Sequence, residues 1–280
     1  MTLLKKNSTD NAVVGVITAI LLIGLIVAVI SLVQTMYIPK IMEQRESEHM
    51  DKVAEQFTYL TSVVDGQAAN PSNNMPIATS ITLGSKELPY MLSIKAFGTL
   101  EILDRARSIT VTTSTESATF PIGVITYSSK NAYFLDQNYT YEAGAMIVSQ
   151  SDGNQMMIRP DFVVNLIDSN TLNIVFDVIN IQSVGGKTIA SGFATYPIQT
   201  EFHDDTTNAT FTQVDYITIT TPLSNAWSVF INNTLSSLIS GKFNIPQQQP
   251  LKIDFLDPLS VTVIFKIINI HAQIGPGWVQ

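Results

Sequence analysis

The chain has 280 residues, 45% of them hydrophobic and 14% charged, with a mean hydropathy of +0.22; ordinary soluble domains carry roughly 25% charged residues. Cysteine is absent, which excludes disulfides, thiolate zinc sites, iron–sulfur clusters and thiol nucleophiles. With 15 Lys+Arg against 23 Asp+Glu the net charge is −8, which argues against nucleic acid as a partner because phosphate binding needs a basic surface.

Lys5 and Lys6 precede a polar stretch from Asn7 to Asn11, and an apolar run follows from Ala12 to Val33. No charge falls between Asp10 and Lys40. A helix of about 22 residues covers about 33 Å, the hydrocarbon thickness of a bilayer. Thr18 and Ser31 are its hydroxyl residues, and both can bond back to helical carbonyls. The run exceeds a secretory h-region, and no small-x-small cleavage site follows it. Lysines at its start predict a cytoplasmic amino terminus and an external carboxyl-terminal bulk. Val13, Gly15, Ile17, Leu21, Gly24, Leu25, Val29 and Val33 are the positions that would meet lipid or other helices. Gly15 and Gly24 permit close helix approach but lack GxxxG spacing.

Pro39 predicts a kink. The stretch from Lys40 to Asp65 is rich in Glu, Gln and Arg, and Met50, Val53, Phe57, Leu60 and Val64 recur by three and four on one helical face. That face is expected to pack on the domain beneath it. Asp65-Gly66 reads as a turn, and Gln67 to Pro76 as a connector.

A basic tip (Lys5-Lys6), a polar junction (Asp10-Asn11), Ala12-Val13-Val14-Gly15-Val16-Ile17, an aliphatic helix to Val33 and then a β-rich part together resemble archaeal type IV pilin-like (flagellin-like) proteins with a class III-type amino-terminal segment. The stretches Tyr139 to Val148 and Thr221 to Trp227 resemble methanogen and haloarchaeal pilin-like proteins more loosely. The resemblance implies a prepilin-type peptidase that removes the leader, and a secretion platform that draws subunits from the membrane into a filament through self-association of their helices. It assigns Lys5, Lys6 and Asp10 to processing and assembly, with Asp10 as partner of a neighbour's α-amino group. The usual small residue after the leader's basic tip is missing here; a cut after Lys6 would remove both lysines.

From Ile77 the period changes. Ser108 to Thr112, Asn173 to Ile181 and Ser260 to Ile268 are β-branched and partly alternating, with turn residues about every ten residues. Asp152-Gly153, Asp168-Ser169-Asn170 and Gly185-Gly186 predict three hairpin turns in one meander between Ala143 and Tyr196. One helix interrupts the strands, capped by Thr221, with Pro222 at its first position and Gly241 at its end. Leu223, Trp227, Phe230, Ile231, Leu235 and Leu238 form its apolar stripe. A final hairpin or strand pair, Leu251 to Leu256 and Leu259 to Ile274, completes the domain. The expected fold is α+β: a long N-terminal hydrophobic helix followed by a mainly antiparallel β-sandwich or barrel-like domain with one covering helix. The expected divisions are 1–10 leader and junction, 11–38 hydrophobic helix, 39–66 stalk helix, 67–76 linker and 77–280 external β-rich domain.

Glu201, His203, Asp204 and Asp205 form an acid–histidine cluster; such a run is ordinarily a solvated strand end, and its alternative is a weak divalent-cation site. Gly185-Gly186-Lys187-Thr188 lacks the first glycine of a phosphate-binding loop, since Ile181 stands there. No GxSxG or HExxH motif occurs, so neither catalysis nor a cofactor is expected. Asn138, Asn208 and Asn232 head glycosylation sequons, as does Asn7 on the inner side. Apart from Lys5, Lys6, Lys40 and Asp10, the chain carries 12 basic and 22 acidic side chains, so the external part is acidic. The leading expectation is a filament-forming or filament-decorating surface protein. Its alternatives are a single-pass membrane protein with a β domain for adhesion or envelope binding, and a tethered hydrolase in which His203 or His271 meets a carboxylate and a serine.

Overall fold

A computed structural model describes residues 8–71, 75–85, 96–246 and 249–275, with side chains from residue 13 onward. Helix α1 (Ser8–Leu32) passes through a π-helical turn (Val33–Tyr37) into α2 (Ile38–Ala69). Pro39 lacks an N–H and crowds the turn before it. Just ahead of it the ladder widens by one residue, and the Ile38 N–H reaches back to the Val33 carbonyl. The expected kink is therefore a π turn in an unbroken rod.

Helix α2 buries Ile38, Met42, Met50, Val53, Phe57, Leu60 and Val64 on one face. It does not turn at Asp65-Gly66 but runs on to Ala69. Gln67 and Ala68 are buried, and Gln67 Nε2 donates to the Thr200 carbonyl at 2.8 Å. These contacts outweigh the cost of about 1 kcal/mol for a glycine inside a helix. The connector thus begins three residues later than expected; residues 72–74 of it lie outside the described residues.

Strands β1 (Ile77–Thr82), β2 (Phe97–Thr113), β3 (Ser117–Lys130), β4 (Asn138–Glu142), β5 (Ala145–Gln150), β6 (Gly153–Ile158) and β7 (Asp161–Asp168) follow. Then come β8 (Thr171–Ser183), β9 (Ile189–Gly192), β10 (Thr195–Phe211) and β11 (Val214–Thr220). Helix α3 (Ser224–Ile239) precedes β12 (Phe243–Asn244), β13 (Leu251–Phe255) and β14 (Ser260–Ile274). Among the described residues these make two sheets. One runs β1-β10-β14-β8-β7; the other runs β12-β13-β11-β2-β3-β4-β5-β6, with β9 also on β2. All pairs are antiparallel except β8 with β14, which run parallel over their length. The fold is α+β, as expected.

Two of the three turns are hairpins. Ser151-Asp152 joins β5 to β6, and Ser169-Asn170 joins β7 to β8. Gly185-Gly186 is not a hairpin, because β8 lies in the first sheet while β9 pairs with β2 in the second. The single meander is corrected likewise: the chain changes sheet between β6 and β7. Nor do β13 and β14 pair, since β13 lies on β11 and β14 on β10 and β8. Helix α3 starts at Ser224 with Leu223 at its cap, not at Pro222 with Thr221 at its cap, because the Thr221 hydroxyl accepts the Leu223 N–H and holds Thr221-Pro222 outside the first turn. Gly241 follows the helix with φ +79°, but Leu238 is exposed and Ile239 takes its place in the core.

The core comes in two clusters that share the long strands. One, beneath α2, contains Phe57, Leu100, Ile125, Tyr127, Ile181, Ile198 and Ile270. The other, beneath α3, contains Ile122, Ile174, Phe176, Trp227, Val263 and Phe265. Along β8 the buried residues switch from even numbers (Leu172, Ile174, Phe176, Val178) to odd (Ile179, Ile181). β14 switches from Val261, Val263 and Phe265 to Ile268, Ile270 and Ala272. Since neighbouring strand residues face opposite ways, the two cores lie on opposite faces of these strands. The sheets cross where the parity changes: a Cβ built on Gly123 would stand 1.8 Å from the Ile181 carbonyl oxygen.

Three contacts set α2 against the second sheet. Glu46 meets the backbone of residues 132–134, the Met50 carbonyl accepts from the Tyr139 hydroxyl, and Asp65 accepts from the Tyr141 hydroxyl. Both segments thus run the same way. The α3 cluster lies past the carboxyl end of α2, remote from α1.

Candidate functional site

From Val13 to Leu32 every side chain of α1 is exposed; Val13, Ile17, Leu21, Leu25 and Val29 are 52–68% exposed. Val33 is half-buried. A Cβ on Gly15 or Gly24 would meet nothing within 4 Å. The Thr18 hydroxyl donates to the Val14 carbonyl at 2.9 Å, so this polar group is satisfied within the helix, as a hydrocarbon medium demands. By length and composition this helix can cross a membrane, and its most apolar window has a mean hydropathy of 3.2 with no share buried. Leaving such a surface in water forgoes roughly 25 cal/mol per Å². Lys5 and Lys6 lie outside the described residues. Asp10 is on α1, with its side chain outside them.

The rod is mounted by buried polar contacts. The Glu46 carboxylate, fully buried, accepts from three consecutive backbone N–H groups: Ala132 at 3.1 Å, Tyr133 at 2.7 Å and Phe134 at 2.7 Å. One turn on, His49 Nε2 lies 3.1 Å from the Tyr127 hydroxyl, which donates to the Leu83 carbonyl at 3.0 Å. Burial lowers the His49 pKa from 6.5 and raises that of Tyr127 to about 12. Asp65 is pushed up by burial against the lowering hydrogen bond from Tyr141, whose own phenol burial pushes well above its usual value.

A second carboxylate is enclosed where the two cores meet. Ala143 and Gly144, with φ of +53° and +86°, turn β4 tightly into β5. Glu142, 2% exposed, sits just before this turn. Its Oε2 accepts from Arg107 Nε at 3.1 Å and from the Thr221 hydroxyl at 2.9 Å, and its Oε1 accepts from Trp227 Nε1 at 2.9 Å. Burial pushes the carboxyl up, opposed by these donors and the guanidinium. The stretches 139–148 and 221–227 noted in the sequence are thereby joined.

The acid–histidine cluster does not converge. Glu201 is half-buried on β10, while His203, Asp204 and Asp205 are exposed at a bulge. His203 stacks on His271 with ring centroids 4.0 Å apart. The Asp205 carbonyl accepts from Asn269, whose side-chain oxygen accepts from Asn180, whose own oxygen accepts from the Gly123 N–H. The bulge is therefore tied into the crossing of the sheets. Among the described residues no three His, Asp or Glu side chains gather as a metal site. Asn138, Asn208 and Asn232 are all exposed, on β4, β10 and α3; Asn7 lies outside the described residues. Lys187 places its ammonium 5.0 Å from the centre of the Tyr196 ring.

Sequence reasoning passed over Glu46, Arg107 and Glu142. Glu46 had a signal: it falls four residues before Met50, inside the apolar stripe, where a carboxylate must find donors.

The family described as Family of unknown function (DUF7289) matches residues 11–246. No curated protein and no solved structure matches the chain.

Proposed function

The chain belongs to the family of unknown function DUF7289, and within it we propose that this protein is an archaeal type IV pilin-like surface subunit. Its amino end would lie in the cytoplasm and its β unit outside. It works by assembly rather than catalysis, without a cofactor, either building a cell-surface filament or decorating one. The observation that carries this reading is the unburied apolar α1, continued without a break into a helix seated on the β unit. A bare tether would need no such rigid mounting; a subunit whose helix must enter a filament core in fixed orientation does. Lipid already satisfies the α1 side chains, so helix association draws on van der Waals packing, with a secretion motor supplying the work of extraction.

Mass spectrometry of the mature amino terminus, with electron microscopy of material sheared from cells, tests the proposal. A pilin-like subunit loses about six residues, Lys5 and Lys6 among them, to a prepilin-type peptidase and appears in filaments. An intact terminus in membranes, with nothing released by shearing, makes the chain a single-pass anchored protein for adhesion or envelope binding.

A further inference from the structure

Strands β6 and β7 are consecutive, yet each is the outer edge of a different sheet. The sandwich is therefore open between them, and α3 lies across the opening. A groove of about 560 Å³ remains along the helix. Asn154, Gln155, Asn233, Thr234 and Ser237 supply amides and hydroxyls to its wall, and Arg159 supplies a cation. Met156, Val164 and Phe230 form an apolar floor. Among the described residues no acid lines this groove, although the chain as a whole is at −8. Asp65, Asp161 and Asp177 instead border the cleft on the other side of Arg159. Arg159 is exposed and has no hydrogen-bond or ion-pair partner among the described residues.

The Gln155 and Asn233 amides both donate and accept, while the Thr234 and Ser237 hydroxyls and the Asn154 amide nitrogen donate to the Phe230 carbonyl, the Thr234 carbonyl and Asn225 and leave acceptor oxygens to the groove, a mixture that suits a ligand rich in hydroxyl groups. The apolar floor suits the C–H face of a sugar ring, and a guanidinium fork suits a carboxylate. We propose that this groove binds an acidic carbohydrate of the uronic-acid class, with Arg159 on the carboxylate and the α3 and β6 amides on the hydroxyls. The groove belongs to the half of the molecule remote from α1, where a ligand outside the cell would meet it first. Binding needs no polymerisation, so it holds for a filament subunit and for an anchored monomer alike.

The test is calorimetric titration of the full chain in detergent with trigalacturonic acid, and with neutral galactotriose and dextran sulfate as comparators. The expected result is saturable binding of the uronic acid, weaker binding of the neutral sugar and no preference for the polysulfate. Arg159→Gln should weaken the uronic acid roughly tenfold or more while leaving the neutral sugar unchanged. Ser237→Trp, on the exposed face of α3, should block both sugars, with unchanged circular dichroism showing that the fold is kept. No binding of either sugar, or uronic-acid binding indifferent to both substitutions, overturns the proposal. So does equal binding of dextran sulfate, which marks charge alone.

Discussion

Trp227 Nε1 donates to Glu142 Oε1 at 2.9 Å, joining α3 to β4 across 85 residues of sequence. Arg107 and Thr221 occupy the other carboxylate oxygen. Glu142→Ala removes all three acceptor contacts and leaves the Arg107 charge, 18% exposed, without its partner. A cost of about 3–5 kcal/mol is expected. Glu142→Gln keeps the volume and an acceptor for Trp227, so it should cost less, roughly 1–3 kcal/mol. Urea unfolding followed by tryptophan emission reads both; an Ala variant that unfolds at the parent's midpoint would refute the account.

Gly123 stands where the two sheets cross. Its missing side chain admits the Ile181 carbonyl oxygen, which a Cβ would approach to 1.8 Å. That neighbour is backbone of β8, held in register with Ile270 of β14, so it cannot swing aside. Gly123→Ala should destabilise by ~3 kcal/mol or more, or abolish accumulation of folded protein. Gly66→Ala, where a Cβ meets nothing within 4 Å, should be neutral or stabilising by up to about 1 kcal/mol. Similar thermal midpoints for the two variants would contradict the crossing geometry.

Local signals carried the elements, and distant pairings set their arrangement. The spacing of Met50, Val53, Phe57, Leu60 and Val64 announces the buried face of α2, and all five are buried. The same helix hides its end: Asp65-Gly66 has turn chemistry, overridden by the contact of Gln67 with Thr200, 133 residues away. Gly185-Gly186 misleads because β8 takes its partner from β14, a parallel pairing that no turn records. The buried positions of β8 and β14 change parity halfway, so their alternation reads as partial in the sequence. Glu142 shows no local sign of its role, since its donors lie 35, 79 and 85 residues off.

Glu46 locks the rod to the β unit with hydrogen bonds from Ala132, Tyr133 and Phe134. Glu46→Gln turns one acceptor oxygen into an NH2 that confronts a backbone donor, and removes the charge assistance at the other. A loss of about 1.5–3 kcal/mol is expected. It should be felt first as faster amide exchange over residues 131–137 and the start of α2, while the α3 cluster stays protected. Uniformly raised exchange across both cores would mean that Glu46 supports the whole fold rather than the mounting.

His49 gives this mounting a pH dependence of fixed sign. Burial lowers its folded pKa below 6.5, so the unfolded chain binds the proton more readily. The stability it contributes is present above pH 6.5 and is lost as pH falls through the folded pKa. Asp65 and Glu142, both pushed up by burial, act with the opposite sign, their contribution declining as pH rises. Comparison with His49→Gln cancels those two, because the Gln amide can still hydrogen-bond the Tyr127 hydroxyl without titrating. The fall in thermal midpoint from pH 7.5 to pH 5.5 should be smaller in the variant; an equal fall would assign the dependence elsewhere.

Ile23 and Tyr59 are almost equally exposed, at 61% and 59%, on the same helical rod. If α1 sits in lipid, their surroundings differ completely. An acid near the centre of a membrane helix costs about 2.5–3.5 kcal/mol on insertion scales, whereas an acid at a water-facing helical position costs well under about 1 kcal/mol. Ile23→Asp should therefore abolish carbonate-resistant membrane association and protease-accessible display, and Tyr59→Asp should leave both at parental levels. Cell fractionation with surface proteolysis distinguishes the two variants. Equal behaviour would place α1 in the same medium as α2, and both the membrane anchor and the filament built from it would then be without foundation.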